Sequence, residues 1–141
     1  VSTKSFCDFV NPAASSGDST SRNICAALEC IDRFTDQFNA LDRAGMDAQL
    51  HFPHILLSGA EQVVWEQPNS HPSDLFETLQ KMGWAYTRYI SREPLVVSED
   101  KVHFAVTYQR CSADHAVIST HLNLWIVTHK NGRWGISLRS Y

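Results

Sequence analysis

The segment Leu50-His51-Phe52-Pro53-His54 sets two imidazoles three residues apart, the spacing at which one helix face would offer both to a metal ion. Pro53 argues against that helix, because proline disfavours helical geometry at the residue before it. The two rings should therefore diverge, and no Cys, His or Asp at familiar spacing completes a ligand set, so no metal site is expected. His51 then reads as a ring capping a helix end, and His54 as a side chain packed at the entry of a strand. His54 is also the better candidate for acid–base chemistry, since an unperturbed imidazole titrates near pH ~6.5. Tyr108 and Arg110 stand two apart in a β-rich segment and so share one strand face. A phenol can polarise a carbonyl, and a guanidinium can hold a carboxylate or enolate through two bonds. Arg139, near the end of the chain, is expected either to pair with an acid or to close a pocket. Neither a Gly-rich phosphate loop nor the elbow motif of a serine nucleophile is present. No cofactor and no covalent catalysis are expected.

These side chains must be positioned by elements that the hydrophobic pattern announces. Ile24, Ala27, Leu28, Ile31, Phe34, Phe38 and Leu41 recur at three- and four-residue spacing, an amphipathic helix with Ser19, Thr20 or Ser21 as its cap. Arg43-Ala44-Gly45 should end it, and a short helix from about Met46 to Leu50 should follow. Ile55 to Ser58 and Gln62 to Glu66 read as two strands joined around Gly59-Ala60, with Gly at the position a type II′ turn requires. A further helix begins after His71-Pro72, capped by Ser73, and stops at Gly83. Then come four long strands rich in Val, Ile, Tyr, Trp and Thr: Trp84 to Val97, Lys101 to Arg110, Ala116 to Thr128, and Arg133 to Ser140. Their short connections, Asn131-Gly132 above all, force antiparallel neighbours. The order predicts an α+β fold with helices on one face of a curved sheet.

At 141 residues the chain suits one domain, long enough to bury roughly 70% of its unfolded surface. A formal charge of −3, with 12 Lys and Arg against 15 Asp and Glu, gives no footprint for nucleic acid or an anionic membrane. No apolar run approaches the ~20 residues that span a bilayer. Residues 1–23 mix the apolar Phe6, Phe9 and Val10 with a Ser/Gly/Asp-rich stretch. They read as a flexible arm whose apolar part docks on a single body of residues 24–141. The opening lacks the basic-then-apolar order of a signal peptide, which favours the cytoplasm. It also lacks an initiator Met, which leaves a trimmed or secreted precursor open. Cys7, Cys25, Cys30 and Cys111 show no C-x-x-C, and the spacing of Cys25 and Cys30 on a helix keeps them from pairing; buried free thiols are expected.

The element order resembles the nuclear transport factor 2-like superfamily over about Ile24 to Tyr141, and within it a SnoaL-like branch without assigned activity. The residues that carry the likeness are Leu50-His51-Phe52-Pro53-His54, Trp65, Gly83-Trp84, Lys101-Val102-His103, and Ile126-Val127-Thr128 followed by Gly132-Arg133-Trp134-Gly135. The resemblance implies a cone-shaped, mixed or antiparallel sheet around the N-terminal helices, an apolar pocket, and a homodimer through the sheet's outer face. On that fold His54 would stand near the pocket mouth as acid or base, with Tyr108 or Arg110 stabilising negative charge. Trp65, Trp84, Tyr86, Ser58, Phe104 and Arg139 would line the ligand site. The family's isomerases carry a carboxylate near the end of the first strand, whereas Leu56-Leu57-Ser58 has no acid. Strand alternation puts Val102, Phe104, Val106 and Tyr108 inward, and Ile118, Leu122, Leu124 and Ile126 inward on the next strand. His121, Asn123 and Trp125 would then face outward as an interface, unless a one-residue bulge reverses them. The implied function is a cofactor-free isomerase, lyase or cyclase acting on a small apolar carbonyl compound. A binding protein for a small apolar or weakly acidic molecule, or a dimeric interaction module, stands as the alternative.

Overall fold

A computed structural model of the chain describes residues 4–141; residues 1–3 of the expected arm lie outside them. The long helix α2 (Asp18–Asn39) organises the rest. Its residues Ala27, Cys30, Ile31 and Phe34 recur every three or four positions and are all buried, one face turned to the sheet. It starts earlier than the spacing predicts. Gly17, at φ +54°, makes the turn into it, and Asp18 places a carboxylate in its first turn, so Ser19, Thr20 and Ser21 lie inside the helix. The following short helix, α3 (Arg43–Asp47), also starts earlier than expected. Leu41 takes a positive φ of 59°, and the Asp42 carboxylate accepts the Gly45 backbone N–H at 2.9 Å, capping the new helix.

Six strands form one mixed, unclosed sheet: β1 (Leu50–Ser58), β2 (Glu61–Trp65), β3 (Tyr86–Val97), β4 (Lys101–Cys111), β5 (Val117–Lys130) and β6 (Arg133–Ser140), in the order β2-β1-β6-β5-β4-β3. Only β1 and β6 run parallel. The β1–β2 turn has Gly59 at φ +56°, and the β5–β6 turn has Asn131 and Gly132 at +55° and +77°, as their residue types demand. Between β2 and β3, α4 (Leu75–Lys81) has Asp74 rather than Ser73 at its N-cap position, without a side-chain capping bond, and Gly83 takes the expected left-handed conformation at φ +92°. The fold is α+β, with α2 across the inner face of β3 to β6.

On β4 the inward set is as predicted: Val102, Phe104, Val106 and Tyr108 are buried. On β5 the prediction is reversed. Pairing sets Trp125 opposite Phe104, Asn123 opposite Val106 and His121 opposite Tyr108, and residues directly opposite share a face. Trp125 and Asn123 are buried, whereas Leu122 is 72% exposed. No bulge intervenes between them; the inner face of β5 carries Ser119, His121 and Asn123 beside Trp125, and its outer face is the more apolar, so alternation pointed to the wrong side.

Two smaller expectations also change. The apolar part of the arm does not dock: in α1 (Phe6–Phe9) the two phenylalanines stack on each other and stay 76% and 71% exposed. What ties the N-terminal segment down is a backbone bridge between Ala14 and Ser98, and beside it the Asn23 side-chain amide of α2 donates to the carbonyls of Ser98 and Glu99. His51 caps no helix; its Nε2 lies 3.2 Å from the carbonyls of both Thr128 and Arg133, at the β5–β6 hairpin. All four cysteines are free, Cys30 and Cys111 buried, Cys7 and Cys25 exposed. Among the described residues no helix is long and apolar enough to cross a membrane.

Candidate functional site

A cavity of about 180 Å³ opens between the C-terminal half of α2, the β2–α4 loop and the inner sheet face. Its walls are mostly apolar or aromatic, including Phe34, Phe38, Leu56, Trp65, Leu75 and Trp125. Arg139 enters this wall from β6, where pairing places it between Leu56 of β1 and Trp125 of β5. It is 5% exposed, and its guanidinium carbon sits 5.1 Å from the centre of the Phe34 ring and 5.8 Å from that of Trp65.

Two imidazoles orient this cation. His54 Nδ1 lies 3.0 Å from the Ile136 carbonyl, which can only accept, so Nδ1 carries the proton. That leaves the Nε2 lone pair to accept Arg139 Nε–H at 3.0 Å. His54 is completely buried, and burial, with Arg139 second, pushes its pKa down to about 3. His71, carried by the β2–α4 loop, packs edge-on against Trp65 at 4.5 Å and accepts from Arg139 Nη2 at 3.4 Å. Its own Nδ1 faces Asp47 Oδ1 at 3.6 Å, and that oxygen is buried with no hydrogen bond. Burial, then Arg139 and Arg43, hold His71 down to about 3 as well. Both rings are neutral at pH 7. They steer the guanidinium without cancelling its charge.

The opposite wall supplies hydroxyls. Tyr108 stacks on His121 at 4.9 Å, and burial pushes its phenol pKa up, so it remains a donor. Burial raises Tyr89 further; its hydroxyl donates to the Ile31 carbonyl at 3.4 Å and meets the Thr35 hydroxyl. Arg110 reaches the same cavity one inward position beyond Tyr108. Trp125 lines it too, with an indole N–H that is buried and unpartnered.

Of the residues singled out from sequence, the structure brings Tyr108, Arg110, Trp65 and Arg139 to one cavity. His54 stands behind Arg139 rather than on the wall. Trp84 is one layer back, against Phe38 and Phe76, its indole N–H donating to Thr87 at 2.9 Å. Three are elsewhere. Phe104 is wholly buried in the core, Ser58 is exposed at the β1–β2 turn, and Tyr86 bonds His115 through its hydroxyl on the outside. Their faces or strand ends point away, which composition could not reveal. Missed altogether were His71, Tyr89 and Thr35. Thr35 was within reach, four residues after Ile31 on the buried helix face; His71 sits in a loop and carried no periodic signal. Among the described residues no three His, Cys, Asp or Glu side chains gather as a metal-ligand set.

No family model and no curated protein matches this sequence. Solved structures do match its shape. A protein of unknown function with a cystatin-like fold from Nostoc punctiforme superposes with a TM-score of 0.63 at 16% identity, over 86% of this chain and 90% of that one. A nuclear transport factor 2-like protein from Novosphingobium aromaticivorans gives 0.62 at 12% identity, over 85% and 80%. The chain has the nuclear transport factor 2-like fold. A ketosteroid isomerase-like protein from Erwinia carotovora shares that fold, with a TM-score of 0.60 at 12% identity over 89% and 95%. At such identities the likeness extends to the fold and not to a reaction, because this architecture hosts many unrelated sites.

Proposed function

We propose that this protein binds a small, largely apolar molecule carrying a polar oxygen in the cavity beside Arg139. The observation that carries this reading is the lining itself: apolar and aromatic walls with a few convergent donors, Arg139, Tyr108 and Arg110, as small-molecule sites have. Native mass spectrometry of gently purified protein tests it. The expected spectrum shows a co-purified small molecule that is absent from a Leu56→Trp variant, whose indole would fill the space. A folded protein with no retained mass and no response to any small-molecule library would count against the cavity as a binding site.

A second reading, cofactor-free proton transfer on a small carbonyl compound, is favoured by one observation. His71 lies on the cavity wall with the Asp47 carboxylate behind its other nitrogen, the arrangement that orients an imidazole acid or base. His54, which does not line the cavity, then acts as a positioning residue for Arg139. On a substrate identified by mass, His71→Gln should lower turnover by ~100-fold or more. Wild-type turnover in that variant would remove His71 from the chemistry and leave the binding reading.

We further propose a homodimer through the outer sheet face. The support is an apolar stripe there, Ile55, Leu57, Leu122, Leu124, Ile126 and Leu138, on the opposite side from the residues expected from sequence.

A further inference from the structure

We propose that the cavity is an anion receptor whose ligand is a small monoanionic carboxylic acid with one apolar ring or chain, its carboxylate held by Arg139 and faced by Arg110 at the rim. This rests on the reading of the cavity as a ligand site and adds the charge of what it takes. Two arginines line the cavity, and no Asp or Glu does. Among the described residues Asp32 pairs with Arg92 and Asp47 faces the neutral His71, so neither Arg139 nor Arg110 has a carboxylate within reach. The chain as a whole carries more acids than bases, 15 against 12, so this concentration of cations is not a reflection of composition.

Arg139 decides the matter. A guanidinium that is 5% exposed has lost most of its hydration, and a buried charge is costly unless an opposite charge and hydrogen bonds replace the water. Its partners, His54 and His71, are neutral acceptors. They use Nε and Nη2, and no hydrogen bond from Nη1 is made among the described residues. A neutral carbonyl would add one acceptor and leave the charge standing. A carboxylate would cancel it and take up the free donors together, the geometry a planar guanidinium suits best. The Phe34 and Trp65 rings flanking the cation also exclude water, which strengthens that pairing. Size sets the remaining limit. At about 180 Å³ the cavity is smaller than the ~300–1,000 Å³ typical of drug-sized ligands, so one ring rather than several is accommodated.

The test is a matched pair of probes, phenylacetate and phenylacetamide, titrated at pH 7 against the full chain and followed by tryptophan fluorescence and calorimetry. The two differ in charge and scarcely in shape. Phenylacetate should bind at least ~30-fold tighter, and in Arg139→Met the two affinities should come within ~3-fold of each other. The wild-type comparison stands even where that variant does not fold, and Arg110→Gln supplies a second variant with a smaller loss of preference. Equal binding of the two probes would overturn the anion assignment while leaving the cavity as a ligand site. Binding of neither would overturn the cavity reading and this inference with it.

Discussion

Arg139, His54 and His71 form one electrostatic unit, and its pH behaviour follows from burial. Both imidazoles have folded pKa values near 3 against an ordinary 6.5, so between those limits the unfolded chain holds more protons than the folded one. Stability from this unit is therefore complete above pH ~6.5 and is lost as the pH falls toward ~3, by up to about 1.4 kcal/mol per pH unit for each ring. Urea denaturation between pH 7 and 4 should show that slope. His54→Gln, which removes one of these titrations, should flatten it. A slope unchanged in that variant would mean that His54 is not held neutral in the folded state.

At the scale of elements, the site depends on how β6 meets β1 and β5. Gly135 is the tight point. A Cβ added there would come within 2.7 Å of the His51 ring and 2.9 Å of the Arg133 guanidinium, and His51 is itself lodged on the Thr128 and Arg133 carbonyls. Gly135→Ala should cost about 1–3 kcal/mol in chemical denaturation, the usual range for overpacking. Because Arg139 follows four residues later on the same strand, the variant should also weaken binding of phenylacetate. Wild-type stability in Gly135→Ala would show that His51 has room to retreat. The β2–α4 loop has its own ties: Arg43 donates to the carbonyls of His71 at 2.6 Å and Pro72 at 2.9 Å, and Asp47 accepts the Asn69 N–H at 2.8 Å. Helix α3 thus fixes where His71 leans on Arg139.

For the whole molecule, the outer sheet face is the exposed apolar surface. Leu122 is 72% exposed in a single copy, midway along β5, whose other face carries the buried Asn123 and Trp125. On the proposed homodimer, Leu122→Glu should shift the protein from dimer to monomer in sedimentation equilibrium without altering its thermal stability as a monomer. A dimer that survives the change would place the interface elsewhere. The variant should keep its cavity, since Leu122 and Trp125 belong to opposite faces of β5.

Sequence alone determined the elements and most of their order. The three- and four-residue period of α2, the alternation on β4, and the residue types at Gly59, Gly83 and Asn131-Gly132 are local constraints, readable because backbone geometry at those positions admits few alternatives. It also placed Tyr108, Arg110, Trp65 and Arg139 among the residues to watch. Tertiary structure decided three things. The first is the face of Trp125, because hydrophobic alternation favoured the other side of β5 and only the register against β4 decides it. The second is the role of His54, because its partners Ile136 and Arg139 lie more than 80 residues away along the chain. The third is the presence of His71 at the site, because a loop residue reaches a cavity through its ties to α3 and not through any periodicity of its own. Charge at the site emerges only from that assembly: the sequence is acidic overall, and the cavity is not.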